Sequence, residues 1–251
     1  MKIVGIIPAR YASSRLPGKV LADIGGKPMI QHVYENAGQS KHLHEIYVAV
    51  DDERVQKAVT SFGGKAIMTD PNCPSGTDRV AAAARKIDAD IVVNIQADEP
   101  FSNAAIIDEA IEPMLENPKI SFSTVMHLIM KPEGYNDSGV VKAVRDSDGF
   151  GLYFSRSLIP HPRYKENYEA YEHLGVYVYR KDALLRFVEW GPSPLEKAES
   201  LEMLRILEHD EKLYVAKSTQ SSYDLSVDTQ EDLEKARKVY AEMQAKKGVK
   251  K

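Results

Sequence analysis

From Ile3 to Leu115, short apolar runs alternate with helical stretches, and few architectures accommodate that rhythm. Ile3 to Ile7 reads as a continuous buried strand, and Pro28 to Gln39 as a helix with proline in its first turn. A strand at Glu45 to Val50, a helix near Asp52 to Ser61, a strand at Lys65 to Met68 and a helix opening at Ser75 follow. Ile91 to Ile95 is the next strand, and Asn103 to Leu115 the next helix. Ser75, with Asp78 three residues on, has the form of a capping box. Strands separated by helices of this length join through right-handed crossovers into a mainly parallel sheet. The predicted fold class is α/β.

The second half changes character. Val140 to Val144, Gly151 to Phe154 and Gly175 to Tyr179 are strand-like, with irregular polar segments and no helices between them. That pattern predicts antiparallel pairing in an added lobe, at about 121–215 of a single 251-residue domain. Ser193 and Glu196 form another capping-box signature, opening a helix to about His209. A strand at Leu213 to Ala216 follows, and a last helix from near Thr229 ends in the basic tail Lys246 to Lys251. No internal repeat or low-complexity linker interrupts the chain.

Composition narrows the class of function. Lys and Arg number 33 against 37 Asp and Glu, a net charge of -4. A nucleic-acid binder needs a basic face to displace counterions, which this balance disfavours. The lone Cys73 excludes an intrachain disulfide and a cysteine zinc cluster. The opening MKIVGIIPAR is too short for a signal peptide, and no apolar run approaches the ~20 residues that span a bilayer. A cytoplasmic protein is expected.

In open parallel sheets, ligands sit beyond the carboxyl ends of the strands. The loop after the first strand runs Pro8-Ala9-Arg10-Tyr11-Ala12-Ser13-Ser14-Arg15-Leu16-Pro17-Gly18-Lys19. Its cations and small residues suit a triphosphate, although the spacing is neither a P-loop nor a dinucleotide fingerprint. Asp98 follows a buried strand and has the chemistry of a Mg²⁺ ligand. Asp228, alone, would be a routine helix-start carboxylate; paired with Asp98 across a nucleotide, it would complete a phosphoryl clamp. Ser75-Gly76-Thr77-Asp78-Arg79 is either an ordinary capped helix start or a phosphate and pyrimidine contact. Asp51-Asp52-Glu53 resembles the acidic metal motif of some glycosyltransferases, but reads more simply as a helix N-terminus.

Together these motifs closely resemble the CMP-Kdo synthetases, the 3-deoxy-manno-octulosonate cytidylyltransferases, from Ile6 to about Val239. Pro8 to Lys19 matches the family's P-A-R-x-x-S-x-R-x-P-G-K. Gly26 to Glu35, Asp51 to Arg54, Ser75 to Arg79, Leu152 to Ser157, His173 to Tyr177 and Pro192 to Glu196 follow the pattern as well. The resemblance implies a three-layer, Rossmann-like nucleotidyltransferase, a homodimer, Mg²⁺ dependence, and transfer from CTP to Kdo with release of pyrophosphate. It implies that Arg10, Arg15 and Lys19 hold the triphosphate and act with Asp98 in catalysis. Pro8, Ala9, Ser75, Gly76, Arg79 and Gln96 would complete the nucleotide site. Asp98 and Asp228 would bind the metal, and Arg156, His173, Tyr177 and Glu202 the sugar acid. No dedicated general base stands out.

Two positions depart from the pattern. The family's Q-G-D-E-P reads Gln96-Ala97-Asp98-Glu99-Pro100, so the backbone at Ala97 is either ordinary or strained. The sugar-side L-E-Q-L-R reads Leu201-Glu202-Met203-Leu204-Arg205, a thioether in place of an amide donor. The second change leaves open a related acceptor, an 8-amino-Kdo or a sialic-type acid. A glycosyltransferase and a non-catalytic nucleotide binder are the rivals from other classes.

Overall fold

A computed structural model describes residues 1–13, 15–131, 133–164, 168–220 and 225–248, the side chains of residues 247 and 248 excepted. Ser14 of the first loop and residues 249–251 of the basic tail lie outside the described residues. The chain divides into two compact units. One comprises Lys2–Ala89, Asn94–Ala104 and Ser221–Lys251; the other comprises Met1, Asp90–Val93 and Ala105–Gln220.

The first unit is built from β1 (Ile3–Ala9), a short hairpin of β2 (Asp23–Ile24) and β3 (Lys27–Pro28), α1 (Met29–Ala37), β4 (Glu45–Val50), α2 (Glu53–Ser61), β5 (Lys65–Met68) and α3 (Gly76–Ala84). β1 pairs in parallel with β4, and β4 with β5, setting Ala9 beside Val50 and Val50 beside Met68. These residues end their strands, so the loops opening at Arg10, Asp51 and Thr69 leave from one edge of the sheet. β1 is buried almost throughout, as a strand covered on both faces must be. α3 packs on β1 with Val80, Ala81, Ala83 and Ala84 fully buried, small side chains that let helix and sheet approach closely. Val55 and Val59, one turn apart on α2, bury its inner face, each worth about 1.5–3 kcal/mol. Asp52 caps that helix by accepting from Arg54 N at 2.8 Å.

The chain enters the second unit in β6 (Ile91–Asn94) and continues through α4 (Ala104–Glu116), β7 (Phe122–Leu128), α5 (Glu133–Asn136), β8 (Lys142–Arg145), β9 (Gly151–Ser155) and β10 (Tyr171–Arg180). Three helices follow, α6 (Lys181–Trp190), α7 (Pro194–Glu199) and α8 (Met203–Glu208), and then β11 (Leu213–Lys217). β10 runs antiparallel to both β7 and β8, and β8 antiparallel to β9, whereas β11 lies parallel to β7. The final helix, α9 (Gln230–Gly248), belongs to the first unit. The fold class is α/β, a mainly parallel sheet with added antiparallel strands.

Three features of the second unit depart from the sequence reading. β7 was not anticipated, because Ser123, Thr124 and His127 dilute its apolar run, yet Ser123 and Thr124 are fully buried. α6 intervenes directly after β10; its N-cap is Arg180, which makes no side-chain cap, so the usual start signal is missing. The single helix expected from Ser193 to His209 is two. The capping box forms, with Ser193 N donating to Glu196 Oε2 at 3.0 Å. Ser200 then turns left-handed at φ 54°, ends α7, and swings Leu201 into the interior before α8 begins.

Candidate active site

The first loop is held in shape at three points. Gly18 adopts φ 68° and donates to Tyr11 O at 3.0 Å, closing the loop on itself. A Cβ on Gly18 would stand 3.3 Å from the Tyr11 ring. Tyr11 N donates to Asp51 Oδ1 at 2.9 Å, and the Arg54 guanidinium lies 3.5 Å over the Tyr11 ring. Asp51 also ion-pairs with Arg79 at 3.1 Å. Arg79 is buried, and its Nη1 donates to Thr69 Oγ1 at 2.7 Å and to Asp70 O at 3.2 Å.

This geometry gives the charged side chains of these loops separate partners. Arg79 is a brace that ties the loops after β4 and β5 to α3. Asp51, Asp52 and Glu53 do not act as one acidic cluster: Asp51 joins Tyr11 to Arg79, Asp52 chelates Arg54, and Glu53 faces Lys57 at 3.8 Å. The segment is a helix start, with Asp52 the N-cap of α2, as the simpler reading of its sequence expects. Asp51 takes its partners from further away, Tyr11 lying 40 residues before it and Arg79 on α3.

Ser75 caps α3, accepting from Asp78 N at 3.2 Å and donating to Asp78 Oδ2 at 2.8 Å. Gly76 is exposed beside Pro8, whose ring a Cβ would meet at 3.6 Å. Arg10 is exposed, and Gln96 half-buried.

Lys19 brings the two distant aspartates together. Its ammonium donates to Asp98 Oδ2 at 2.8 Å, Asp228 Oδ1 at 2.8 Å and Val227 O at 3.1 Å. Arg15 pairs with the other oxygen of Asp228 at 2.9 Å, and Val227 N donates to Asp98 O at 2.9 Å. Burial opposes the charge on Lys19, but the attraction of Asp98 and the hydrogen bonds to both carboxylates outweigh it, so its pKa is raised. Ala97 is not among the positive-φ residues, so the alanine beside Asp98 has ordinary backbone and the question of strain there is resolved.

One cation thus touches both carboxylates. Among the described residues, no three His, Cys, Asp or Glu side chains gather to hold a metal unaided. Two carboxylates nonetheless fit Mg²⁺, which completes its shell with phosphate oxygens and water.

The four residues expected on the acceptor side all lie in the second unit. His173 is buried between aromatic neighbours, its ring 5.3 Å from Phe154 and 5.2 Å from Tyr177. Thr124 Oγ1 donates to Val176 O at 2.7 Å, so at 2.8 Å it accepts from His173 Nε2. That network assigns the proton to Nε2 and leaves Nδ1 an acceptor. Burial drives the His173 pKa down to about 3, so the ring is neutral. Arg156 braces carbonyls, donating from Nε to Glu199 O and from a terminal nitrogen to Ser138 O, both at 2.8 Å. Glu202 is the N-cap of α8, and Met203 beside it is buried rather than offered at a surface.

A family model described as cytidylyltransferase matches residues 4–213. The chain belongs to the cytidylyltransferase family. Similar proteins include the 3-deoxy-manno-octulosonate cytidylyltransferase of Geobacter metallireducens, 47% identical over 246 residues covering 94% of this chain and 96% of that one. Its counterpart from Geobacter sulfurreducens is 46% identical, covering 94% and 98%. A solved structure of CMP:2-keto-3-deoxy-manno-octonic acid synthetase complexed with CTP superposes with a TM-score of 0.92, at 43% identity, over 97% of this chain and 100% of that one. Membership agrees with the resemblance carried by the loop motifs.

Proposed function

We propose that this cytidylyltransferase activates 3-deoxy-manno-octulosonate with CTP, giving CMP-Kdo and pyrophosphate. The acceptor's anomeric hydroxyl attacks the α-phosphorus in line and gives up its proton to solvent, while the bond from that phosphorus to pyrophosphate breaks. Arg10, Arg15 and Lys19 neutralise charge that grows on the departing pyrophosphate, acting as preorganised donors. Ser75 and Gly76, at the start of α3, offer backbone N–H groups to the nucleotide, while Pro8, Ala9 and Gln96 shape its seat. Arg79 serves the same site indirectly, by fixing Asp51 and hence Tyr11. Asp98 and Asp228 would hold Mg²⁺, which would supply Lewis-acid stabilisation of the charge that develops at the phosphoryl centre.

On the acceptor side, Arg156 and neutral His173 suit an acidic, hydroxyl-rich sugar: one contributes positive charge, the other the Nδ1 acceptor. Tyr177 and Glu202 add hydrogen-bonding capacity. The same reading includes a homodimer at work in the cytoplasm, in lipopolysaccharide or capsule biosynthesis. Among the described residues no helix is long and apolar enough to cross a membrane.

The observation that carries the reading is the meeting of Asp98 and Asp228 on Lys19 at the end of the cationic loop. The test is an acceptor panel with CTP and Mg²⁺, read by pyrophosphate release. Kdo is expected to be the preferred substrate over 8-amino-Kdo and sialic-type acids. Equal or better turnover of either alternative would replace Kdo while leaving the cytidylyl transfer in place.

A further inference from the structure

We infer that Lys142 is a positioning residue for the acid-sugar acceptor, its ammonium locking the turn before β8 to the backbone of Arg156. The inference rests on the reading of Arg156, His173, Tyr177 and Glu202 as the acceptor residues.

Lys142 is completely buried, a rare state for lysine. Its ammonium donates to Asp137 O at 2.6 Å, Val140 O at 2.8 Å and Arg156 O at 2.9 Å. An ammonium has three donors, and three carbonyls take them, so nothing remains to touch a substrate. None of the three partners is a carboxylate. Burying a charge against neutral dipoles is costly, and an apolar side chain of similar size fills space as well or better. A lysine retained here therefore points to what it aligns.

What it aligns is the acceptor side. Arg156 reaches back to Ser138 O, so Lys142 and Arg156 grip the same turn, residues 137–140, from both ends of the bridge. Arg156 N also donates to Glu199 Oε2 at 3.0 Å, while Glu199 Oε1 accepts from Ser155 Oγ at 2.6 Å. His173 N donates to Val141 O at 2.7 Å. Adjacent residues 141 and 142 thus set the positions of both His173 and Arg156. Small displacements of substrate-orienting groups have large kinetic effects, whereas a residue that merely supports the fold would affect both substrates alike.

The test is steady-state kinetics of Lys142→Met with CTP and Kdo varied in turn, beside the thermal midpoint. The expected result is an acceptor KM raised about tenfold or more, with the KM for CTP within about twofold of the parent. Equal losses toward both substrates, or an unchanged acceptor KM, would overturn the inference. Should Lys142→Met not fold, Lys142→Gln, which keeps an amide donor, is judged by the same split; failure of both to fold also overturns it, since the lysine would then hold the unit rather than the site. Arg156→Ala and Tyr177→Phe separate the two layers of the argument. If they leave acceptor KM unchanged, the acceptor reading itself fails; if they raise it and Lys142→Met does not, only the role of Lys142 falls.

Discussion

Lys19 and Lys142 are both lysines with their ammonium groups fully engaged, yet their environments are opposite. Lys19 sits between two half-exposed carboxylates, and their charge keeps its pKa above the ordinary lysine value. Lys142 sits among three backbone carbonyls, and burial pulls its pKa below that value against the attraction of Asp137 and Glu172. Carboxylates around a lysine are exchangeable ligands: a competing cation can take them, and the lysine can turn to a phosphate. Carbonyl dipoles fixed in a turn have no such alternative partner. The first lysine belongs to a place where charge must move, the second to a place where geometry must not.

The comparison breaks most sharply at Asp98. Asp98→Ala should lower turnover by about 1000-fold or more, the several kcal/mol a clamped divalent ion supplies, while circular dichroism and the thermal midpoint stay near the parent. CMP-sugar formation at a near-normal rate would remove the metal reading and leave Lys19 in an ordinary ion-pair network. Next in size, Lys19→Met should lower kcat/KM by about 100-fold, the scale of one lost preorganised donor. A loss confined to stability, with kinetics intact, would make Lys19 structural and erase the contrast with Lys142.

The buried side of the comparison is tested through pH. Native His173 titrates at about 3 against 6.5 for an ordinary histidine. Above pH 6.5 neither state is protonated there; as pH falls, the unfolded chain takes a proton the native state refuses, and stability is lost down to about pH 3. By pH 5 that amounts to about 2 kcal/mol. Denaturant unfolding at pH 7 and pH 5 should show this decline in the parent and a smaller one in His173→Gln. Equal declines would mean that His173 is solvated. The smallest effect is expected at Gly18→Ala, where the left-handed φ costs about 1–2 kcal/mol and the new Cβ presses on Tyr11. A few degrees lost in thermal midpoint would sharpen the view that this loop is preshaped, and no change would show that it can relax.

The parallel half was legible because its signals are local. Apolar runs from Ile3, Glu45, Lys65 and Ile91 became β1, β4, β5 and β6 nearly at their expected limits. The other half was harder to read. β7 hides behind buried Ser123 and Thr124, and α6 starts without a cap. The break between α7 and α8 depends on Ser200 taking a conformation that serine seldom adopts. Of the site, the cationic loop and the candidate aspartates were visible as motifs. The partners of Asp51 and Arg79 were not legible, since a charged residue beside a loop looks the same whether it meets a ligand or another side chain.

Residue order alone determined the strand and helix rhythm, the loop that follows β1, and the chemical types available at positions 19, 98 and 228, because these follow from periodicity and side-chain identity. Tertiary structure decided which charges meet. It set Asp98 and Asp228 on one ammonium though they stand 130 positions apart in the chain, turned Arg79 inward, and enclosed Lys142 in carbonyls. Electrostatic roles depend on distance and burial, and neither exists until the chain has folded.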